Sequence, residues 1–245
     1  MFAVFKKEIR YFFSSLIGTI VLVLFLSINS YFLWIDPAND YLDILNSGFA
    51  TLEPLFTIAP WMYLILIPAM TMRAFAEEKS NGTIELLLTK PLSEYNIIIG
   101  KFLAYFTLLA LTLLPTIVYY FTVYQLGYPK GNIDQGATLG SYIGLFLLGA
   151  SFVSIGIFSS AITSSQIISL LVSLVLCLFF YSGFELISNF GDANTFSFFI
   201  KQFGIEEHYY NISRGIIDTR DIVYYVCLIG GFLLLTKLVI VSRKW

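Results

Sequence analysis

Residues 135–184 read QGATLGSYIGLFLLGASFVSIGIFSSAITSSQIISLLVSLVLCLFFYSGF, and no Asp, Glu, Lys or Arg interrupts them. A helix crosses the roughly 30 Å of bilayer hydrocarbon with about 20 apolar residues. This run of 50 residues therefore holds two crossings. The break between them is the small polar stretch Ser159-Ser160-Ala161-Ile162-Thr163-Ser164-Ser165-Gln166. Working outward, further charge-free runs cover 11–35, 54–72 and 102–129, and a run from 222 continues past Lys237 to Arg243. The pattern predicts six helices, near 13–35, 55–75, 96–124, 139–160, 166–187 and 222–243. Lipid offers no partner to a free N–H or C=O, so only helices or closed barrels span it. Barrel strands alternate polar and apolar residues, and runs such as Leu103 to Leu114 do not.

Composition agrees. Hydrophobic residues make up 58% of the 245-residue chain and charged residues 12%, against about 25% charged in a soluble domain. Mean hydropathy is +0.81. That excludes a soluble globular enzyme and a disordered chain. The net charge of −2 excludes a nucleic-acid binder, which needs a basic surplus. Cys177 and Cys227 sit inside apolar runs and suit neither a disulfide framework nor a metal cluster. The first apolar run is longer than the 7–15 residues of a signal-peptide core and reads as a retained helix. The expected fold class is all-α: a polytopic integral membrane protein whose 245 residues form one transmembrane domain.

With the N-terminus inside, ten of the 14 basic residues face inward: Lys6, Lys7, Arg10, Arg73, Lys79, Lys90, Lys101, Lys237, Arg243 and Lys244. The positive-inside rule favours that orientation, with both termini cytoplasmic. Residues 1–12 place Phe2, Phe5, Ile9 and Phe12 at helical spacing with basic residues between them. They read either as a helix lying in the inner interface or as a plain basic flank. Lys101 reads as an interfacial anchor at the start of the third span.

The segment 76–93 between the second and third spans is the most informative. Asn81-Gly82 turns the chain, Ile84, Leu87 and Leu88 share one face of a short helix over 83–89, and Pro91 stops it. Ser93 then caps the next helix. Such an element reads as a handle for another protein, or as a helix resting on headgroups. Its pattern, Glu77-Glu78-Lys79-x-x-Gly82-Thr83-x-Glu85-Leu86-Leu87-Leu88-x-x-Pro91-Leu92-Ser93 followed by Gly100-Lys101, resembles the signature of ABC-2 type transporter permeases. The run Glu207-His208-Tyr209, Ser213-Arg214-Gly215, Asp218, Asp221 and Tyr224 is similar to one branch of that family, which includes the gliding-motility permease of Bacteroidetes.

The resemblance implies the ABC-2, type V exporter-like permease fold in a bacterial inner membrane. It implies an ATPase-coupling site at Glu77, Glu78, Lys79, Gly82, Thr83, Glu85, Leu86, Leu87 and Pro91, and an extracytoplasmic motif at Glu207, His208, Arg214, Asp218 and Asp221. The expected partners are a cytoplasmic ABC ATPase subunit, which would carry ATP and Mg, and a second permease or membrane subunit, in the gliding branch one with an extracytoplasmic domain. The chain itself has no G-x-x-x-x-G-K-[ST] phosphate loop; near Gly100-Lys101, Tyr95 stands where the first Gly belongs. No cofactor, metal or catalytic residue is expected in it. The competing reading is an intramembrane or membrane-interface enzyme using Glu206, Glu207 and His208. Two short helices dipping into the outer leaflet suit 188–221. The spacings Gly140-x-x-x-Gly144 and Ala150-x-x-x-Ser154 allow close helix approach, within the chain or to a second subunit.

Overall fold

The computed structural model describes residues 1–35, 42–83, 93–189, 195–216 and 218–242, and no strand occurs among them. Helix α1 (Phe2–Ser14) precedes α2 (Leu16–Trp34), a single turn α3 (Ile44–Ser47), α4 (Glu53–Thr71) and the short α5 (Ala76–Ser80). The third span is α6 (Glu94–Leu113) followed, after a break, by α7 (Ile117–Leu126). Then come α8 (Gln135–Ile162), α9 (Gln166–Leu178), α10 (Phe184–Asn189), α11 (Thr195–Lys201), α12 (Ile205–Ser213) and α13 (Thr219–Val241).

Among the described residues, five helical stretches are long and apolar enough to cross a membrane: Glu53–Ser80, Glu94–Leu126, Gln135–Ile162, Gln166–Asn189 and Thr219–Val241. A sixth arises if Phe2–Ser14 and Gly18–Trp34 count together, two legs bent by 68°. Gly18 allows that bend, because a side chain there would strike the Phe12 carbonyl and ring.

Proline acts differently in two spans. Pro60 and Pro68 sit inside an unbroken α4. Pro115 interrupts the third span with a tight turn, Leu114–Thr116. The Thr116 carbonyl there accepts from the Tyr142 hydroxyl (3.1 Å), so the break leaves that group paired. The fifth span loosens at Phe179–Gly183, where the winding widens to a π-helix before α10.

Helix α8 is the axis of the bundle, packed by α4, α6, α9, α12 and α13. Its apolar window is 78% buried, against 17% for α13, which faces outward. Small residues make this possible, since helices in lipid associate by close packing. A Cβ on Gly156 would overlap Thr71 of α4, one on Gly149 would press Leu109 of α6 at 2.7 Å, and one on Gly140 would strike the Ile212 carbonyl of α12. The glycines therefore seat partners within the chain. Helices α11 and α12 supply the two short elements expected in 188–221. Tyr209 of α12 reaches into the bundle and donates to the Phe56 carbonyl (2.7 Å).

Successive spans alternate in direction. Met1 lies against Gly100 at the start of α6, and Lys237 near the end of α13 stands over the Tyr95 ring at 3.9 Å. Helix α1 and the last turns of α13 thus share one end of the bundle. The α11–α12 hairpin occupies the other.

Candidate functional site

The end that holds α1 is built around residues 72–83. Met72 continues from α4, and α5 begins after Phe75 with its first N–H groups unpaired by helix geometry. The Ser160 hydroxyl at the end of α8 fills that need. It accepts from Phe75 N (2.9 Å) and Ala76 N (3.0 Å) and donates to the Met72 carbonyl (3.0 Å). Gly82, at φ +67, turns the chain away after α5.

The three charged residues of α5 each engage a different part of the bundle. Glu77 accepts from the Tyr11 hydroxyl of α1 (2.8 Å). Glu78 accepts from Lys7 of α1 (2.7 Å) and from Lys101 of α6 (3.1 Å). Lys79 donates to the Ala161 carbonyl at the end of α8. Lys101 also pairs with Glu8 of α1 (2.7 Å), and Glu8 takes the Tyr105 hydroxyl at 3.3 Å. The order Lys7, Glu78, Lys101, Glu8 alternates in sign and sums to zero.

This hub is buried. Exposure is 1% for Lys101, 7% for Glu8 and 9% for Glu78. The Phe75 ring covers the Lys101 ammonium at 4.9 Å from its centroid. Ions so placed persist only when paired, so the position of α5 is tied to α1 and α6 together. A cavity of about 180 Å³ adjoins the hub, lined by Lys7, Glu8, Tyr11, Arg73, Glu77, Glu78, Asn81, Thr83 and Lys101. One Glu78 oxygen and the Arg73 Nε are buried without a hydrogen-bond partner among the described residues.

Lys101, read from the sequence as an interfacial anchor, is instead the buried centre of the hub. The face of α1 that packs on the bundle is Val4, Glu8 and Phe12; of the residues expected to face the interface, Phe2, Phe5 and Ile9 are not buried and Phe12 turns into the bundle. Phe2 is 73% exposed. The sequence carried a signal for this: Glu8 stands one turn from Val4 and from Phe12, and an acid on a buried stripe needs a cation opposite. Of the residues expected to receive an ATPase, Glu77, Glu78 and Lys79 spend their charges inside the chain, and Gly82 and Thr83 form the turn beside them. Glu85, Leu86, Leu87 and Pro91 lie outside the described residues. Ser93 caps α6, accepting from Asn96 N at 3.4 Å.

At the opposite end the structure brings together part of the second motif. His208 meets the Asp221 carboxyl through Nδ1 (2.6 Å) and the Gln202 carbonyl through Nε2 (2.8 Å). A carbonyl only accepts, so Nε2 carries a proton. The ring stacks on Tyr224 at 4.0 Å. Tyr224 donates to the Phe203 carbonyl (2.7 Å) and Tyr225 to the Ile205 carbonyl (3.4 Å). These three side chains clasp the turn between α11 and α12 to the start of α13. Both ring nitrogens are engaged, which makes His208 a turn-ordering contact, as the competing enzymatic reading did not require. Glu207 pairs with Lys201 (3.0 Å). Asp218 caps α13 through Arg220 N (3.0 Å). Arg214 stands apart, over the Tyr210 ring at 4.0 Å. Burial, together with the hydrogen-bonded Glu185 carboxyl beside it, pushes Glu206 up to about 7. Among the described residues no group of three or more His, Cys, Asp or Glu is placed to hold a metal ion.

A family model described as "ABC-2 family transporter protein" matches residues 2–221. The chain belongs to the ABC-2 transporter family. Its members are permease subunits that work with a separate ATPase subunit. A search of curated proteins finds no match. The match covers α1 to the first turn of α13, so both charged assemblies lie within the ABC-2 region. The chain is a multi-pass membrane protein with an all-helical permease fold.

Proposed function

We propose that this ABC-2 chain is the subunit that receives a cytoplasmic ATPase at residues 77–93 and converts nucleotide-driven closure into movement of its helices. The observation that carries this is the buried Glu78–Lys101–Glu8 connection (3.1 and 2.7 Å). It ties the segment after the second span to α1 and the third span, while Lys79 ties the same segment to the end of α8. A push on this segment reaches three helices without any contact from the partner to the spans. The division of labour follows: Glu77, Glu78 and Lys79 transmit, and the apolar residues Leu86 and Leu87 grip.

The orientation belongs to this reading. The end bearing the hub faces the cytoplasm, in agreement with the inward bias of basic residues, and the hairpin end faces outward. The membrane is the bacterial inner membrane. Six spans do not enclose a path alone, so the chain works beside a second permease or membrane subunit. The 207–224 pattern supports the narrower placement in the gliding branch, where such a complex transports or passes force to extracytoplasmic machinery.

The test is purification of the tagged full-length chain from its native membrane in mild detergent. An ABC ATPase should co-purify, and Leu87→Asp should release it while the chain stays membrane-inserted. Absence of any ATPase, or retention by Leu87→Asp, contradicts the proposal. Charge reversal at Glu78 is the poorer test, because it breaks the hub itself.

A further inference from the structure

Helix α1 has three faces. Val4, Glu8 and Phe12 pack on the bundle. Phe2, Phe5, Ile9 and Phe13 follow at three- and four-residue spacing on a second face, with Phe2 73% and Phe13 53% exposed. Lys6 and Arg10, one turn apart, form a third face beside the aromatic one, and both are exposed. Among the described residues neither meets an acid, because Glu8 points into the bundle and pairs with Lys101. Lys7, by contrast, is held by Glu78. An open groove of about 500 Å³ runs along the basic edge, lined by Ala3, Lys6, Lys7, Arg10, Tyr11 and Ser14. The bend of 68° lays α1 across the axis of the following helix.

We propose that α1 is a seat for anionic phospholipid headgroups, with its aromatic face in the acyl region and Lys6 and Arg10 at the phosphates. A soluble acidic partner would account for the basic edge but would leave the aromatic face in water. A membrane surface satisfies both faces at once. Only the side of the membrane on which α1 sits rests on the orientation proposed above; the lipid preference does not.

The experiment is native mass spectrometry of the full-length chain from micelles holding equal phosphatidylglycerol and phosphatidylcholine. Wild type should retain phosphatidylglycerol preferentially. The Lys6→Gln/Arg10→Gln double variant should lose that preference by about fivefold per basic residue removed, with an unchanged thermal midpoint because both side chains are exposed. Equal retention of the two lipids by wild type, or an unchanged preference in the double variant, overturns the proposal. So does release of the ATPase by the double variant with lipid preference intact, which would assign the edge to a protein. Labelling of Ala3→Cys from the outer side with lipid preference retained would instead overturn the orientation and leave the lipid site standing.

Discussion

Replacing Lys101 by Met tests whether the hub holds this end of the bundle together. Lys101 is 1% exposed and is the ion-pair partner of Glu8, which is 7% exposed and otherwise holds the Tyr105 hydroxyl at 3.3 Å. Glu78 fares better, since Lys7 still reaches it at 2.7 Å. The variant therefore leaves one carboxylate buried without a cation and a second with half its partners. Removing one partner of a buried pair costs about 3–5 kcal/mol. For a chain of this length each kcal/mol moves the midpoint by roughly 2–4 °C. The expected fall is about 10 °C in a thermal melt of the detergent-solubilised chain. Adding Glu8→Gln should restore most of it, because replacing both members of a buried pair by neutral groups is often nearly neutral. A Lys101→Met midpoint equal to wild type, or no rescue by Glu8→Gln, would refute the reasoning and return Lys101 to an anchor at the headgroups.

Two other outcomes follow from the geometry. Gly156→Ala brings a methyl onto Thr71 and should destabilise by about 1–3 kcal/mol, seen as a lower melting midpoint; Gly230→Ala, with open space around it, should leave the midpoint unchanged or raised. Glu206 binds its proton more tightly folded (about 7) than its ordinary 4.5, so its contribution is complete at pH below 4.5 and is lost as pH rises through 7. Hydrogen exchange in α11 and α12 should therefore quicken, beyond its intrinsic pH dependence, across that window in wild type and not in Glu206→Gln.

The spans were legible because a charge is costly in hydrocarbon, so uninterrupted runs such as 102–129 mark crossings directly. The break between α8 and α9 was legible because the small polar run Ser159 to Gln166 interrupts the apolar pattern. The close approach of α8 could be read from Gly140, Gly144 and Gly156, but the partners could not, since spacing names a face and not what covers it. The hub was not legible as a unit. Glu8, Glu78 and Lys101 are far apart in the chain, and each taken singly reads as a surface charge near a helix end. Only folding shows that Lys101 turns inward under Phe75. The motif at 207–224 was legible as a pattern, but its physical meaning required seeing three carbonyls of one turn each capped by His208, Tyr224 or Tyr225.

The account claims that the segment around α5 carries a partner's nucleotide state into the helices. Spin labels at Ser14→Cys on α1 and Ser164→Cys beyond α8, in a Cys227→Ser background, flank that segment. Their separation can be measured by pulsed electron resonance in the purified complex, nucleotide-free and trapped with ATP and vanadate. The account predicts two distinct distances, merging to one when Lys101→Met cuts the hub. A single distance in both nucleotide states of the wild-type complex would contradict it.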